Sequence, residues 1–154
     1  MCKYWRGQVR SLRVKSGDRK RGTATAAEFD GVEQLLYNCK TEQFEVQLQQ
    51  YAVTTAVGQN NNDGVRIEME GFSQPYSWDS RTSASTVDVA SLGAIPASTN
   101  ANSATHGVSA PVIVNKNNGS ILKINVVDGI TGDAANIQDN WMMHFSFTPI
   151  YEKL

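Results

Sequence analysis

The stretch from Ile121 to Tyr151 carries the clearest pattern in the chain. Leu122, Ile124 and Val126 alternate with Lys123 and Asn125, and Trp141, Met143, Phe145 and Phe147 alternate with Met142, His144 and Ser146. Period two is the mark of a strand with one buried face, because successive side chains of an extended chain point to opposite sides. The second run offers large apolar groups to one side, each worth roughly 1.5 to 3 kcal/mol when buried. The two runs are expected to lie side by side, with the core of the protein built against them.

Earlier segments extend the pattern. Phe44, Val46 and Leu48 alternate with Glu45, Gln47 and Gln49, and the apolar parity then moves to Tyr51 and Val53 after Gln49 and Gln50. A parity change within one run marks a bulge or a bend. The turn Asn60-Asn61-Asn62-Asp63-Gly64 precedes the alternation of Val65, Ile67 and Met69 and predicts a hairpin, since Asn, Asp and Gly tolerate positive φ. A second hairpin is predicted from Val112–Val114 to Ile121–Val127 through Asn115-Lys116-Asn117-Asn118-Gly119, and Pro149 is expected to close the last strand.

Two segments break the alternation. Thr25 and Glu28 have capping-box spacing, and Phe29, Val32, Leu35 and Leu36 fall near one helical face, which predicts one short helix weakened by Gly31. Residues 73–111 are dominated by Ser, Ala, Thr, Gly and Asn. Val87, Val89 and Leu92 fit one short strand there, and the rest reads as long surface loops of the kind that carry contacts. Five to eight strands with at most one helix make an all-β sandwich or barrel, and no internal repeat is visible.

A chain of 154 residues fits one domain that needs no staples, and Cys2 and Cys39 alone make neither a disulfide framework nor a metal cluster. A reducing compartment suits this usage. No run approaches the ~18 apolar residues of a membrane span, and the charged N-terminus has no signal-peptide pattern, so a soluble protein made in a cytoplasm is expected.

Charge changes the picture more. Residues 1–22 hold eight of the 14 basic groups, Lys3, Arg6, Arg10, Arg13, Lys15, Arg19, Lys20 and Arg21, against the single acid Asp18. That is a local charge of +7, leaving −8 for the remainder within a net charge of −1. Residues 1–22 therefore read as a basic N-terminal arm and 23–154 as the β domain. Cations interleaved with Tyr4 and Trp5 suit phosphates with stacked bases, and they equally suit an acidic protein surface of the same or a neighbouring subunit.

Catalytic signatures are missing: no Gly-rich phosphate loop, HExxH, GxSxG or CxxC occurs. His144 lies opposite the apolar face of its strand, and no Ser, Asp or Cys spacing singles out His106. Neither an enzyme nor a cofactor is expected. Asp128, Asp133 and Asp139 share a loop and could bring oxygens to calcium, but their spacing matches no EF-hand. Asn118-Gly119-Ser120 is a formal glycosylation sequon that reads better as a turn.

A basic N-terminal segment on a β domain of this size, with long Ser/Thr/Asn loops, resembles the single jelly-roll capsid proteins of small viruses. The segment ILKINVVDGITGDAANIQDNWMMHFSFTPIYEK is also similar to a pattern in virion proteins of Polinton-like double-stranded DNA viruses. It is carried by Leu122, Ile124, Val126, Asp128, Gly129, Asp139, Trp141, Met143, Phe145 and Phe147, with a looser echo in VRIEMEGFSQPYSWDS. Asn140, between the Asp and the Trp, departs from it. The resemblance implies a jelly-roll-like antiparallel β-sandwich and a virion structural role. Its partners would be copies of itself, other virion proteins and, through the arm, genomic nucleic acid, with no membrane. Trimeric receptor- or glycan-binding attachment heads are the competing relatives.

Overall fold

Each alternating run is a strand in the computed structural model, which describes residues 4–36, 39–55, 64–73, 86–92, 109–116 and 121–152. The strands are β1 (Tyr4–Arg6), β2 (Arg10–Lys15), β3 (Arg21–Thr23), β4 (Ala26–Asp30), β5 (Gln43–Ala52), β6 (Val65–Glu70), β7 (Phe72–Ser73), β8 (Thr86–Leu92), β9 (Val112–Lys116), β10 (Ile121–Asp128) and β11 (Met142–Glu152), with one helical turn, α1 (Val32–Leu35). They form two antiparallel sheets. In one, β11 pairs with β1 and β2 along one side and with β5 along the other, followed by β9 and β7; the second runs β3-β4-β10-β6-β8. The longer strands thus lie as β2-β11-β5-β9 over β4-β10-β6-β8, the eight-stranded double sheet of a jelly roll.

The core fills the space between the sheets. Leu122, Ile124, Val126, Trp141, Met143, Phe145 and Phe147 are all 2% exposed or less, joined by Phe44, Leu48, Ile67 and Met69. Trp141 ties the layers together. Its indole N–H donates to the Ala24 carbonyl at 2.7 Å and its ring meets Phe29 edge-on at 6.3 Å. Its backbone N–H reaches Ser16 Oγ at 3.1 Å, and the Ser16 N–H returns to the Trp141 carbonyl at 2.9 Å.

Pairing differs from the sequence expectation in an instructive way. The two C-terminal runs are not side by side, since β10 and β11 belong to opposite sheets and share only the core between them. Neither predicted hairpin forms, because β5 and β6 lie in different sheets, as do β9 and β10. A strand with one apolar face can bury it against a strand across a core as well as beside one in a sheet. The turn residues permit both arrangements. The turn tracts themselves, 60–63 and 117–120, fall outside the described residues.

The capping-box segment is a strand. Residues 26–30 pair with β10 on one side and β3 on the other, and burial of Ala27 and Phe29 overrides helix propensity. The helical turn starts after it, and Gly31, at φ 97°, makes the left-handed turn that leads into α1. The parity change at Gln49 is a bulge: Gln50 faces His144 while Leu48 faces Phe145, so Gln49 is the extra residue. Its amide donates to Gln47 Oε1 at 2.9 Å and Ser146 Oγ at 3.0 Å.

Pro149 lies inside β11, opposite Phe44, and does not end it. The Gly7 N–H donates to the Pro149 carbonyl, so the edge that Pro149 leaves without a donor is the one facing the N-terminal strands. There the ladder breaks, and its register shifts by one residue between Arg6 opposite Ile150 and Arg10 opposite Phe147. No helix among the described residues is long and apolar enough to cross a membrane.

If Trp141 holds the core as described, Trp141→Ala should destabilise the protein by about 3 to 5 kcal/mol, measured by urea denaturation.

Candidate assembly and binding edge

Residues 4–23 run along one side of the sandwich, and their placement follows from their apolar members. Leu12 and Val14 alternate with Ser11, Arg13 and Lys15, which makes β2 a strand whose inner face joins the core, with Val14 5% exposed. The boundary drawn at residue 22 is therefore not a boundary of the fold. Residues 10–15 are the edge strand of one sheet, and residues 21–23 are the edge of the other.

Half of the eight basic groups in this segment are used internally. Arg6 pairs with Glu45 at 2.7 Å on the outer face. Arg10 Nη1 donates to the Leu35 carbonyl at 2.9 Å. Arg19 forks onto Asp139 at 2.7 and 3.0 Å and also donates to the Ser16 carbonyl. Arg21 bridges Asp30 at 2.8 Å and Glu28 at 2.9 Å, which hold its proton more tightly than usual. Arg13, Lys15 and Lys20 are exposed and have no ion-pair partner among the described residues. Lys3 lies outside them.

The aromatic members collect at one end. Trp5 stands opposite Tyr151 across the β1–β11 pair, and the rings stack with centroids 4.5 Å apart at 21°. Tyr4 and Trp5 remain 46% and 48% exposed. Gly7 is required beneath the stack, because a Cβ there would lie 2.9 Å from the Tyr151 ring and 3.3 Å from Pro149.

The other sequence candidates are not brought together. Asp128 accepts the backbone N–H groups of Ile130 and Thr131 at 2.9 Å, closing a turn, while Asp139 is committed to Arg19. Among the described residues no group of three potential ligands could hold a metal ion. His144 is half-buried on the outer face of β11, opposite Gln50. His106, the sequon and most of the 73–111 tract lie outside the described residues, whereas Val87, Val89 and Leu92 form the buried face of β8.

One cluster escaped the sequence reading. Arg66 contacts Glu68 at 2.8 Å and Asp88 at 3.0 Å on the outer face of β6 and β8, with the Arg66 side chain only 9% exposed. It borders a cleft of about 350 Å³ that also includes Ser91 and Ser109. In sequence Arg66 and Glu68 simply alternate with Val65, Ile67 and Met69, as residues on the outer face of a strand do. The missing signal was the pairing of β8 with β6, which sets Asp88 opposite Glu68.

With this geometry in hand, comparison with known proteins adds no kinship: no protein-family model matches the chain, and no curated protein matches it.

The Arg19 fork has a measurable consequence. Hydrogen bonding from Arg19 holds the Asp139 carboxyl below the usual carboxylate range, opposed by partial burial and helped by Ser16. A carboxyl depressed in the folded state adds stability above its unfolded pKa and loses it as pH falls through the folded value. The Asp139 side chain is 49% exposed. Solvent screening therefore keeps the gain under about 1 kcal/mol. Asp139→Asn should be less stable than wild type by that margin at neutral pH. The two denaturation curves should converge as pH is lowered below about 4.

Proposed function

We propose that this chain is a structural subunit of a virion. In this reading it is a jelly-roll capsid protein, made in the host cytoplasm, that assembles with copies of itself and with other virion proteins and performs no catalysis. The observation that carries the reading is the strand order β2-β11-β5-β9 over β4-β10-β6-β8, an architecture used by viral shells as well as by lectins and cupins. The likeness of residues 121–153 to virion proteins adds to it. So does the exposure of Tyr4, Trp5 and Val9 along one edge, since exposed apolar groups beside an open strand edge suit contact between subunits.

A second reading, a trimeric receptor- or glycan-binding attachment head, is favoured by the cleft beside Arg66, Asp88, Ser91 and Ser109. It lies against β8, the strand set within the Ser- and Thr-rich stretch 73–111.

The test of assembly must spare β2, so the informative truncation removes residues 1–9 and keeps Arg10. The intact chain should form large closed particles by light scattering and electron microscopy, and the truncated chain should stop at smaller species. Particles unaffected by the truncation would remove β1 from assembly. A trimer formed equally by both chains would favour the attachment head.

For genome contact, three open cations, or four with Lys3, set the expected salt response. Each phosphate contact contributes about 0.7 to 0.9 to the slope of log affinity against log salt, so a slope between roughly −2 and −3.5 is expected. Titration of a labelled oligonucleotide at several ionic strengths measures it. Affinity unchanged by salt would exclude this role.

A further inference from the structure

The outer edge of β2 combines features that belong together in one kind of binding site. The Ser16 N–H bonds the Trp141 carbonyl, and the same register continues through Val14 opposite Met143, Leu12 opposite Phe145 and Arg10 opposite Phe147. In an antiparallel ladder the N–H and C=O of one residue point to the same side and alternate along the strand. Arg10, Leu12 and Val14 therefore spend their backbone groups on β11. Those of Ser11, Arg13 and Lys15 face away from it, and β2 has no second neighbour among the described strands. Helix α1 closes the Arg10 end through Leu35, leaving Ser11 to Lys15 open.

Beneath this edge the sandwich is open. A cavity of about 230 Å³ lies between β2 and β4, with Leu12, Val14, Phe29, Val32 and Leu122 as its apolar lining. β3 covers β4 only at residues 26–28, so Phe29 and Asp30 are left at the opening. On the outer face of the same edge stand Arg13 and Lys15, two of the cations without an ion-pair partner among the described residues.

The geometry points to strand addition at β2: an extended acidic peptide segment of a partner protein pairs with Ser11–Lys15, placing alternate apolar side chains in the β2–β4 cavity and its acidic ones over Arg13 and Lys15. This is the mode in which main-chain hydrogen bonds give affinity and pockets for alternate side chains give specificity. Charge selects the partner. A second copy pairing edge to edge through β2 would set Arg13 and Lys15 against their own counterparts, and like charges on facing strands repel. Arg13, Asp18 and Asp30 also line the cavity, with Asp30 already held by Arg21, and the five apolar groups favour apolar side chains inside, so the peptide must alternate. The inference does not depend on whether the chain builds a particle.

The test uses the full chain and a fluorescein-labelled Glu-Leu-Glu-Leu-Glu-Leu-Glu peptide, with the same residues in two blocks as control, read by anisotropy. The alternating peptide should bind, and the blocked one about tenfold more weakly. Ser11→Pro removes an outward N–H that the fold does not use and adds no charge. It should weaken binding about tenfold while leaving the thermal midpoint in place. Arg13→Glu with Lys15→Glu should weaken it at least as much. If Ser11→Pro fails to fold, hydrogen exchange of the wild-type chain decides: the Ser11, Arg13 and Lys15 amides should exchange fast when free and become protected by the peptide. Equal binding of both peptides, or no protection at these amides, would overturn the proposal in favour of simple charge attraction. An oligonucleotide that binds through Arg13 and Lys15 while neither peptide does would make the edge a nucleic-acid surface instead.

Discussion

One sheet of this protein exists only when the two ends of the chain meet. β11 is flanked on one side by β5 and on the other by β1 and β2, so the strand that carries Met143, Phe145 and Phe147 into the core is completed by N-terminal residues more than a hundred positions away. Closing so long a loop costs little more than closing one of half the length, because the entropy grows only with the logarithm of loop size. Its kinetic cost is larger, since non-local pairing must precede the burial that rewards it. Trp141 answers that constraint at one point. It joins β2 through Ser16, meets Phe29 of β4 and holds the Ala24 carbonyl, so a single residue locks the closure on both sheets.

What could be read in the sequence, and what could not, divides along the same line. Inner faces are a property of one strand, and the alternation of Leu122 to Val126 and of Trp141 to Phe147 names buried residues correctly. Even the bulge at Gln49 was visible, because an extra residue inverts parity. Partnership is a property of two strands. Nothing in Val112–Val114 or Val65–Met69 says whether the next strand lies beside it or across the core, and both predicted hairpins failed there. Arg66 and Glu68 alternate as exposed residues do, yet Asp88, set opposite by β8, makes them a buried ionic cluster. The basic segment misled differently: the charges drew attention while Leu12 and Val14 carried the structural information.

Three of the eight charges in that segment tie it to the rest of the chain. Arg6, Arg19 and Arg21 each hold an acid from another part of the chain, and Asp139 gives up its proton more readily for it. An imbalance of +7 in the sequence becomes, in space, a short row of cations without an acid, beside a strand edge without a second neighbour, among the described residues. The chemical character of a segment is set by what its neighbours leave unneutralised.

Pro149 gives the sandwich an uneven seam. Its ring removes one donor from the middle of β11, at the place where the N-terminal strand breaks and Gly7 passes beneath the aromatic stack. Beyond the seam, β1 is three exposed residues paired with β11 alone among the described strands. Such a piece opens at a free energy set by its own few contacts and not by the whole fold. The jelly roll thus ends in a latch: a short strand able to come off its sheet with Trp5 while β2, the clamp at Trp141 and the core stay closed.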